Sequence, residues 1–199
     1  MTDVSKQRLL LATRNAHKTR EVREILGAGW MVEDLASLPS LPEVEETGAT
    51  FEDNARIKAL AASPHYDGWV VADDSGLEVD VLGGEPGVRS ARFAGDVADM
   101  EENRALLLQR MQGLVDRAAR FRCVLALARD GRVVRVFDGV IEGFITAAEQ
   151  GGGGFGYDPL FVPLGGTATF AEMTAQQKHA LSHRGRAMMS LAEFLRTTA

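Results

Sequence analysis

Two adjacent carboxylates, Asp73 and Asp74, follow the apolar run Trp69-Val70-Val71-Ala72 and lead into Ser75-Gly76. The C-terminal end of a buried strand is where open α/β sheets collect their ligands. Successive strand residues point to opposite faces, so one carboxylate of the pair faces a given site. Asp74, placed just beyond the strand, is the better candidate to hold Mg²⁺ or to orient a water for attack. The same Asp-Asp-Ser-Gly string is rich in turn formers and reads equally as a turn. A second set, Thr13-Arg14-Asn15-Ala16-His17-Lys18, lies between a strand and a helix. Free backbone N–H groups, a hydroxyl, an amide and a lysine there make a phosphate cradle, or simply a capped helix start. In Glu45-Glu46-Thr47-Gly48-x-Thr50-Phe51-x-x-Asn54-Ala55-x-x-Lys58, the spacing puts Asn54 and Lys58 on one helix face. Glu46 with Asp74 forms an incomplete carboxylate set of the kind Mg²⁺ completes with water and phosphates. Phe155 and Tyr157, inside Gly154-Phe155-Gly156-Tyr157-Asp158-Pro159, can stack on a base or plug a core. Lys178-x-x-x-Ser182-His183-Arg184 gathers hydrogen-bond donors that suit a carbonyl on a base, or else a surface helix start.

The cation usage sharpens the phosphate reading. Four lysines, Lys6, Lys18, Lys58 and Lys178, stand against eighteen arginines, and three of the four lie inside these motifs. A compact ammonium suits a phosphate oxygen as a point charge. Two superficially attractive motifs fail. The stretch 151–156 fits G-x-G-x-x-G only because it is a glycine run; it opens no helix and precedes Pro159. Arg20-Glu21-Val22-Arg23-Glu24-Ile25-Leu26-Gly27 resembles part of a Nudix box, but Ala12 and Lys6 occupy its glutamate and glycine positions.

These groups need a scaffold that the remaining pattern describes. A chain of 199 residues with 45% apolar and 25% charged residues suits one soluble domain, or two closely packed lobes. No apolar run reaches membrane-spanning length, and the polar N-terminus lacks a signal-peptide core, so a cytoplasmic location is expected. The lone Cys123 reads as a buried thiol. A net charge of −6 disfavours a nucleic-acid polymer as partner. Leu9-Leu10-Leu11-Ala12 predicts a buried strand, 18–26 a helix stopped by Gly27 and Gly29, and 31–35 a weak strand. A loop marked by Pro39 and Pro42 precedes a helix capped by Thr50, with Phe51, Ala55, Ile57, Ala59 and Leu60 as core candidates. Strand patterns follow at 69–72 and 77–82, then an amphipathic helix over 100–114. Strands at 121–128 and 133–146 are joined by Asp130-Gly131, a strong hairpin signal. Thr174 and Gln177 predict a capping box, and Ser182 caps a last helix bearing Met188, Met189, Leu191, Phe194 and Leu195. Alternating elements followed by a hairpin predict an α/β fold, a mixed β-sheet flanked by helices.

Taken in order, the motifs resemble the inosine/xanthosine triphosphate pyrophosphatases, the Ham1-like non-canonical purine NTP pyrophosphatases. The most specific stretches are Thr13-x-Asn15-x-x-Lys18, Glu46-Thr47-Gly48-x-Thr50-Phe51, Ala72-Asp73-Asp74-Ser75-Gly76-Leu77, Gly83-Gly84-x-Pro86-Gly87, Ser90-Ala91-Arg92-Phe93, Gly154-Phe155-Gly156-Tyr157-Asp158-Pro159 and Ser182-His183-Arg184. His17 stands where the commonest form has glycine, and Gln176 and Gln177 where acids are frequent. The resemblance implies one domain over 1–199, an elongated two-lobed fold with the substrate cleft between the lobes, and a homodimer. It implies hydrolysis of dITP, ITP or XTP to the monophosphate and pyrophosphate with Mg²⁺. Asp74 would be the base and, with Glu46, the metal ligand, while Lys18 and Lys58 neutralise charge. Thr13, Arg14, Asn15, Ala16, His17 and Lys18 would hold the triphosphate. Ser75, Phe155, Gly156, Tyr157, Asp158, Lys178, His183 and Arg184 would contact substrate. Two other readings remain: a non-catalytic nucleotide sensor on the same fold, and a Maf-like pyrophosphatase for other modified nucleotides. Retention of both Asp74 and Lys18 favours the first, catalytic reading, and the Maf-type opening with paired arginines is missing.

Overall fold

A computed structural model describes residues 7–41 and 44–198. Lys6, the remainder of the polar N-terminus and the loop marker Pro42 lie outside the described residues. The strands form one six-stranded mixed sheet in the order β2-β1-β3-β4-β5-β6, made of β1 (Gln7–Leu11), β2 (Trp30–Asp34), β3 (Trp69–Val79), β4 (Ala118–Arg129), β5 (Arg132–Ile145) and β6 (Phe161–Pro163). The helices are α1 (Ala16–Leu26), α2 (Phe51–Ala62), α3 (Met100–Arg110), α4 (Ala175–Leu181) and α5 (His183–Thr198). The α/β class with a mixed sheet is as expected. Among the described residues no helix is long and apolar enough to cross a membrane.

The chain divides into two compact units, one comprising 1–74, 124–138 and 187–199, the other 75–123 and 139–186. In the first, β1 lies between β2 and β3 and runs parallel to both. Only Leu9, Leu10 and Leu11 of β1 pair on both edges, and these three are fully buried while Gln7 and Arg8 are exposed. Asn15 ends the turn after β1 by capping α1, its side-chain oxygen accepting from the N–H groups of His17 and Lys18. Gly27, at φ 70°, closes α1. Thr50 and Asp53 form a reciprocal capping box that starts α2. Phe51, Ala55 and Ala59 of α2 are buried as expected, whereas Leu60 is 41% exposed. Likewise Met188, Leu191 and Leu195 of α5 are buried, and Met189 is not.

In the second unit, a core of Leu77, Val79, Leu107, Met111, Phe121, Ile145, Tyr157, Leu160, Phe161 and Phe170 anchors the elements. Phe121 packs edge-on against Phe161 with ring centroids 4.7 Å apart. α3 starts from an Asp99/Glu102 capping box and ends at Arg110, four residues short of the helix expected over 100–114. Gly113, at φ 78°, turns the chain away. The hairpin between β4 and β5 turns at Asp130 (φ 50°) and Gly131 (φ 73°), the left-handed pair that a tight hairpin requires. Cys123 is buried, as expected. Thr174 and Gln177 make the capping box of α4, and Gly185 N–H donates to Ser182 Oγ at the start of α5.

One expectation is corrected. The strand carrying the acidic pair does not stop at Ala72, with Asp74 just beyond it; β3 continues through Asp73, Asp74 and Ser75 to Val79. The strand predicted over 77–82 is therefore its continuation, ending in a 3-10 turn at Asp80–Leu82. Lysines partner both carboxylates of this polar stretch, which keeps its extended form beyond the residues paired with β1.

Candidate active site

The first unit assembles a cluster of three carboxylates and two ammoniums. β3 carries Asp73 and Asp74 in alternation, α1 supplies Lys18, α2 supplies Lys58, and the segment before α2 supplies Glu46. Lys18 pairs with Asp73. Lys58 Nζ lies 2.9 Å from Asp74 Oδ1 and 2.7 Å from Glu46 Oε1, and it donates to the Asp73 carbonyl at 2.8 Å. The alternation along β3 thus assigns the two aspartates to different lysines, as a pleated strand demands. Asn54, fully buried, donates to Asp74 Oδ2 at 3.3 Å and accepts from Gly48 N–H at 2.7 Å. A Cβ on Gly48 would lie 2.6 Å from Asn54 Oδ1 and 2.5 Å from Asp53 Cβ, so this approach needs glycine. A solvated helix face is therefore excluded for Asn54, and Lys58 keeps only 13% of its side chain exposed.

Burial pushes the Asp74 carboxyl above the usual aspartate range, and Lys58 and Lys18 only partly pull it back. Burial lowers the Lys58 pKa, but Asp74 and Glu46 outweigh it and the net shift is upward. With three carboxylates against two ammoniums, the cluster carries one formal negative charge in excess. A triphosphate alone would meet repulsion there, whereas a divalent cation on Glu46 and Asp74 reverses the sign. The donors fit Mg²⁺: both are hard carboxylate oxygens, and both already converge on a single cationic nitrogen. Among the described residues no group of three or more His, Cys, Asp or Glu side chains forms a metal cage. Two carboxylates completed by water and phosphate are the usual Mg²⁺ arrangement.

The loop from Thr13 to α1 is bound tightly to its surroundings. Thr13 Oγ1 accepts from Asn15 N–H, and the Arg14 guanidinium reaches the carbonyls of Leu41 (2.6 Å) and Leu35 (3.4 Å). Arg14 thereby ties this loop to the segment after β2, while Ala16 and His17 are exposed at the helix start.

The second unit assembles a different cluster. Lys178 Nζ pairs with Asp158 Oδ2 at 2.7 Å, and both side chains are almost wholly buried. Asp158 Oδ2 also accepts from Phe155 N–H at 2.8 Å. The Phe155 ring, half-buried, lies under two cations, with Lys178 Nζ 4.9 Å and Arg184 Cζ 5.6 Å from its centroid. Arg184, 2% exposed, donates to Ser75 Oγ at 2.9 Å. His183 stacks on Phe121, centroids 4.8 Å apart and planes 9° off parallel. Gly154 is left-handed at φ 70°, and a Cβ there would strike Asp158. Tyr157 is buried and its hydroxyl donates to the Ser90 carbonyl at 2.9 Å, so of the two loop aromatics it is the core plug. Buried cations and a buried imidazole are costly to assemble without partners.

The predicted residues therefore fall into two groups. Thr13, Arg14, Asn15, Ala16, His17, Lys18, Glu46, Lys58 and Asp74 stand in the first unit. Ser75, Phe155, Gly156, Tyr157, Asp158, Lys178, His183 and Arg184 stand in the second. Sequence reasoning named Asn54 and Asp73 but gave them no role at the site; Asn54 contacts Asp74, and Asp73 pairs with Lys18. The i, i+4 spacing of Asn54 to Lys58 was the available signal for the first. Phe121, the platform under His183, had no local signal.

The chain matches the Ham1 family over residues 9–194. It belongs to that family. This Ham1-family chain is 46% identical over 185 residues to a dITP/XTP pyrophosphatase of Exiguobacterium sp., covering 92% of this chain and 94% of that one. It is 46% identical over 194 residues to a dITP/XTP pyrophosphatase of Streptomyces coelicolor, covering 95% and 97%. Among solved structures, the Ham1 protein of Staphylococcus aureus superimposes with a TM-score of 0.86 at 37% identity, covering 97% of this chain and all of that one.

Proposed function

We infer that this chain hydrolyses non-canonical purine nucleoside triphosphates (dITP, ITP and XTP) to the monophosphate and pyrophosphate, removing them from the nucleotide pool. The observation that carries the reading is its similarity, over almost the whole of both chains, to proteins named dITP/XTP pyrophosphatase. The two polar clusters supply matching chemistry. Lys18, Lys58 and the loop residues 13–17 bind the triphosphate, with Arg14 acting through its grip on the carbonyls of Leu35 and Leu41. Glu46 and Asp74 would hold Mg²⁺, which supplies charge neutralisation at phosphate oxygens and makes a bound water more acidic. Asp74 orients the attacking water and takes its proton. Attack falls on the α-phosphorus, and pyrophosphate leaves carrying charge that Lys18 and Lys58 offset.

The second cluster reads the base. Phe155 stacks on it, and donors on His183 and Arg184 meet the 6-keto oxygen, with Ser75, Asp158 and Lys178 fixing their positions. An adenine would present a 6-amino group to the same donors and leave them unpaired, a mismatch that discriminates strongly. The protein acts as one domain spanning both units, as a homodimer, in the cytoplasm. Pyrophosphate and orthophosphate release should be followed with Mg²⁺ and with EDTA across dITP, ITP, XTP, GTP and ATP. Magnesium-dependent pyrophosphate release from the first three is expected. Orthophosphate release, or equal turnover of ATP, contradicts the reading.

A further inference from the structure

Arg104, on the helix α3, belongs to none of the motifs that compose the two clusters, yet it grips the loop carrying Phe155 at both ends. Its Nε donates to Glu149 Oε1 at 2.8 Å, where the loop begins, and its Nη1 donates to the Gly156 carbonyl at 3.1 Å, where it ends. One turn earlier on the same helix face, Met100 Sδ accepts from Gly156 N–H at 3.2 Å. Both polar backbone groups of Gly156 are therefore held by α3. Gly154 and Gly156 adopt φ values of 70° and 59°, a left-handed pair that gives the loop its corner around Phe155. A loop with so many glycines has many alternative conformations to lose, so its corner stays in place only if something outside it imposes the shape.

The helix is a firm base for that task. Asp99 and Glu102 cap it reciprocally. Asn103, almost fully buried, donates to the Ala91 carbonyl and accepts from Ala94 N–H, and Leu107 lies in the core. On its other side the corner is tied by Phe155 N–H to Asp158, whose second partner is Lys178. Phe155 is thus suspended between Asp158 and α3.

Resting on the proposed function, we propose that Arg104 is a positioning residue for base recognition: by bridging Glu149 and Gly156 it sets the Phe155 ring against Lys178 and Arg184. It touches no reacting atom, so its effect belongs in substrate binding rather than in the chemical step. The planar guanidinium aims its two donors in fixed directions that a rotatable ammonium on a shorter-reaching stem does not hold, so lysine should restore only part of the function.

The test compares the parent enzyme with Arg104→Ala, Arg104→Lys, Glu149→Gln and the double variant Arg104→Ala/Glu149→Gln, on dITP. Arg104→Ala should raise KM about tenfold with kcat within about twofold, the scale of one charge-assisted hydrogen bond. Arg104→Lys should lie between Ala and the parent. The double variant should be no worse than Arg104→Ala, because both changes cut the same bridge. Amide hydrogen exchange of the 149–157 segment should quicken in Arg104→Ala while that of α5 does not. An unchanged KM with a lowered melting temperature would overturn the proposal and leave Arg104 a structural residue. A fall in kcat at constant KM would overturn it too, by placing Arg104 in the chemistry. Turnover by the parent reports on the proposed function, and the difference between parent and variants reports on the bridge. If the parent were inactive, exchange in the 149–157 segment would still decide whether Arg104 orders the loop.

Discussion

At the scale of single residues, the proposed hydrolysis turns on Asp74 and the cations around it. Replacing Asp74 by asparagine keeps its shape and its contact with Asn54 while removing the base. Lys58 still has Glu46 and the Asp73 carbonyl. Pyrophosphate release from dITP should fall roughly a thousandfold, within the range for loss of a general base, with little change in melting temperature. A variant turning over at the parental rate would take Asp74 out of the mechanism. Arg184→Met, which keeps most of the buried volume, should lower the kcat/KM ratio of dITP over dATP; an unchanged ratio would remove Arg184 from base reading. Much of the candidate site was legible because its groups sit in short strings such as Asp73-Asp74-Ser75 and Ser182-His183-Arg184, each ambiguous alone and given a role by the family resemblance. Their partners were not. Asn54 looks like one more polar helix residue until its burial against Gly48 and Asp74 is seen, and Phe121 meets His183 only through the fold.

At the scale of elements, caps and turns determine where each group stands. Gly185 lies in the first turn of α5, where alanine would ordinarily favour a helix by roughly 1 kcal/mol. Here a Cβ would run into the His179 carbonyl of α4. Gly185→Ala should therefore destabilise by about 1–3 kcal/mol, the cost of overpacking, and reverse the usual sign. A urea unfolding midpoint equal to or above the parent's would show that α4 and α5 relax freely apart. The elements with a local signal were legible: the Thr50 and Thr174 caps, the Asp130-Gly131 hairpin and the Leu9-Leu10-Leu11 strand. β3 was legible at 69–72 and again from Leu77, but not across Asp73 to Gly76. Two aspartates, a serine and a glycine oppose a strand locally, and pairing with neighbours distant in sequence overrides that preference. The end of α3 was overrun for the opposite reason, since the apolar spacing continues past Arg110 while Gly113 turns the chain.

At the scale of the whole molecule, the class of the six-stranded sheet followed from the order of the elements. The response to alkali is a property of the entire fold. Burial and the hydrogen bond to Glu33 raise Tyr66 from an ordinary value of 10 to about 12, and burial raises the other tyrosine, Tyr157, further. Between pH 10 and 12 the unfolded chain releases the Tyr66 proton while the folded chain keeps it. This contribution to stability is complete below pH 10 and is lost as pH rises through about 12. Tyrosinate absorbance should therefore show no native-state ionisation near pH 10, and Tyr66→Phe should remove the earlier of the two steps. An ordinary titration near pH 10 in the folded protein would contradict the burial of both hydroxyls.

Hydrolysis of dITP in heavy-oxygen water distinguishes attack by water on the α-phosphorus, as proposed for Asp74, from attack elsewhere. One labelled oxygen is expected in dIMP and none in the pyrophosphate released. Label in pyrophosphate or in orthophosphate, or no turnover of dITP with magnesium present, would contradict that proposal.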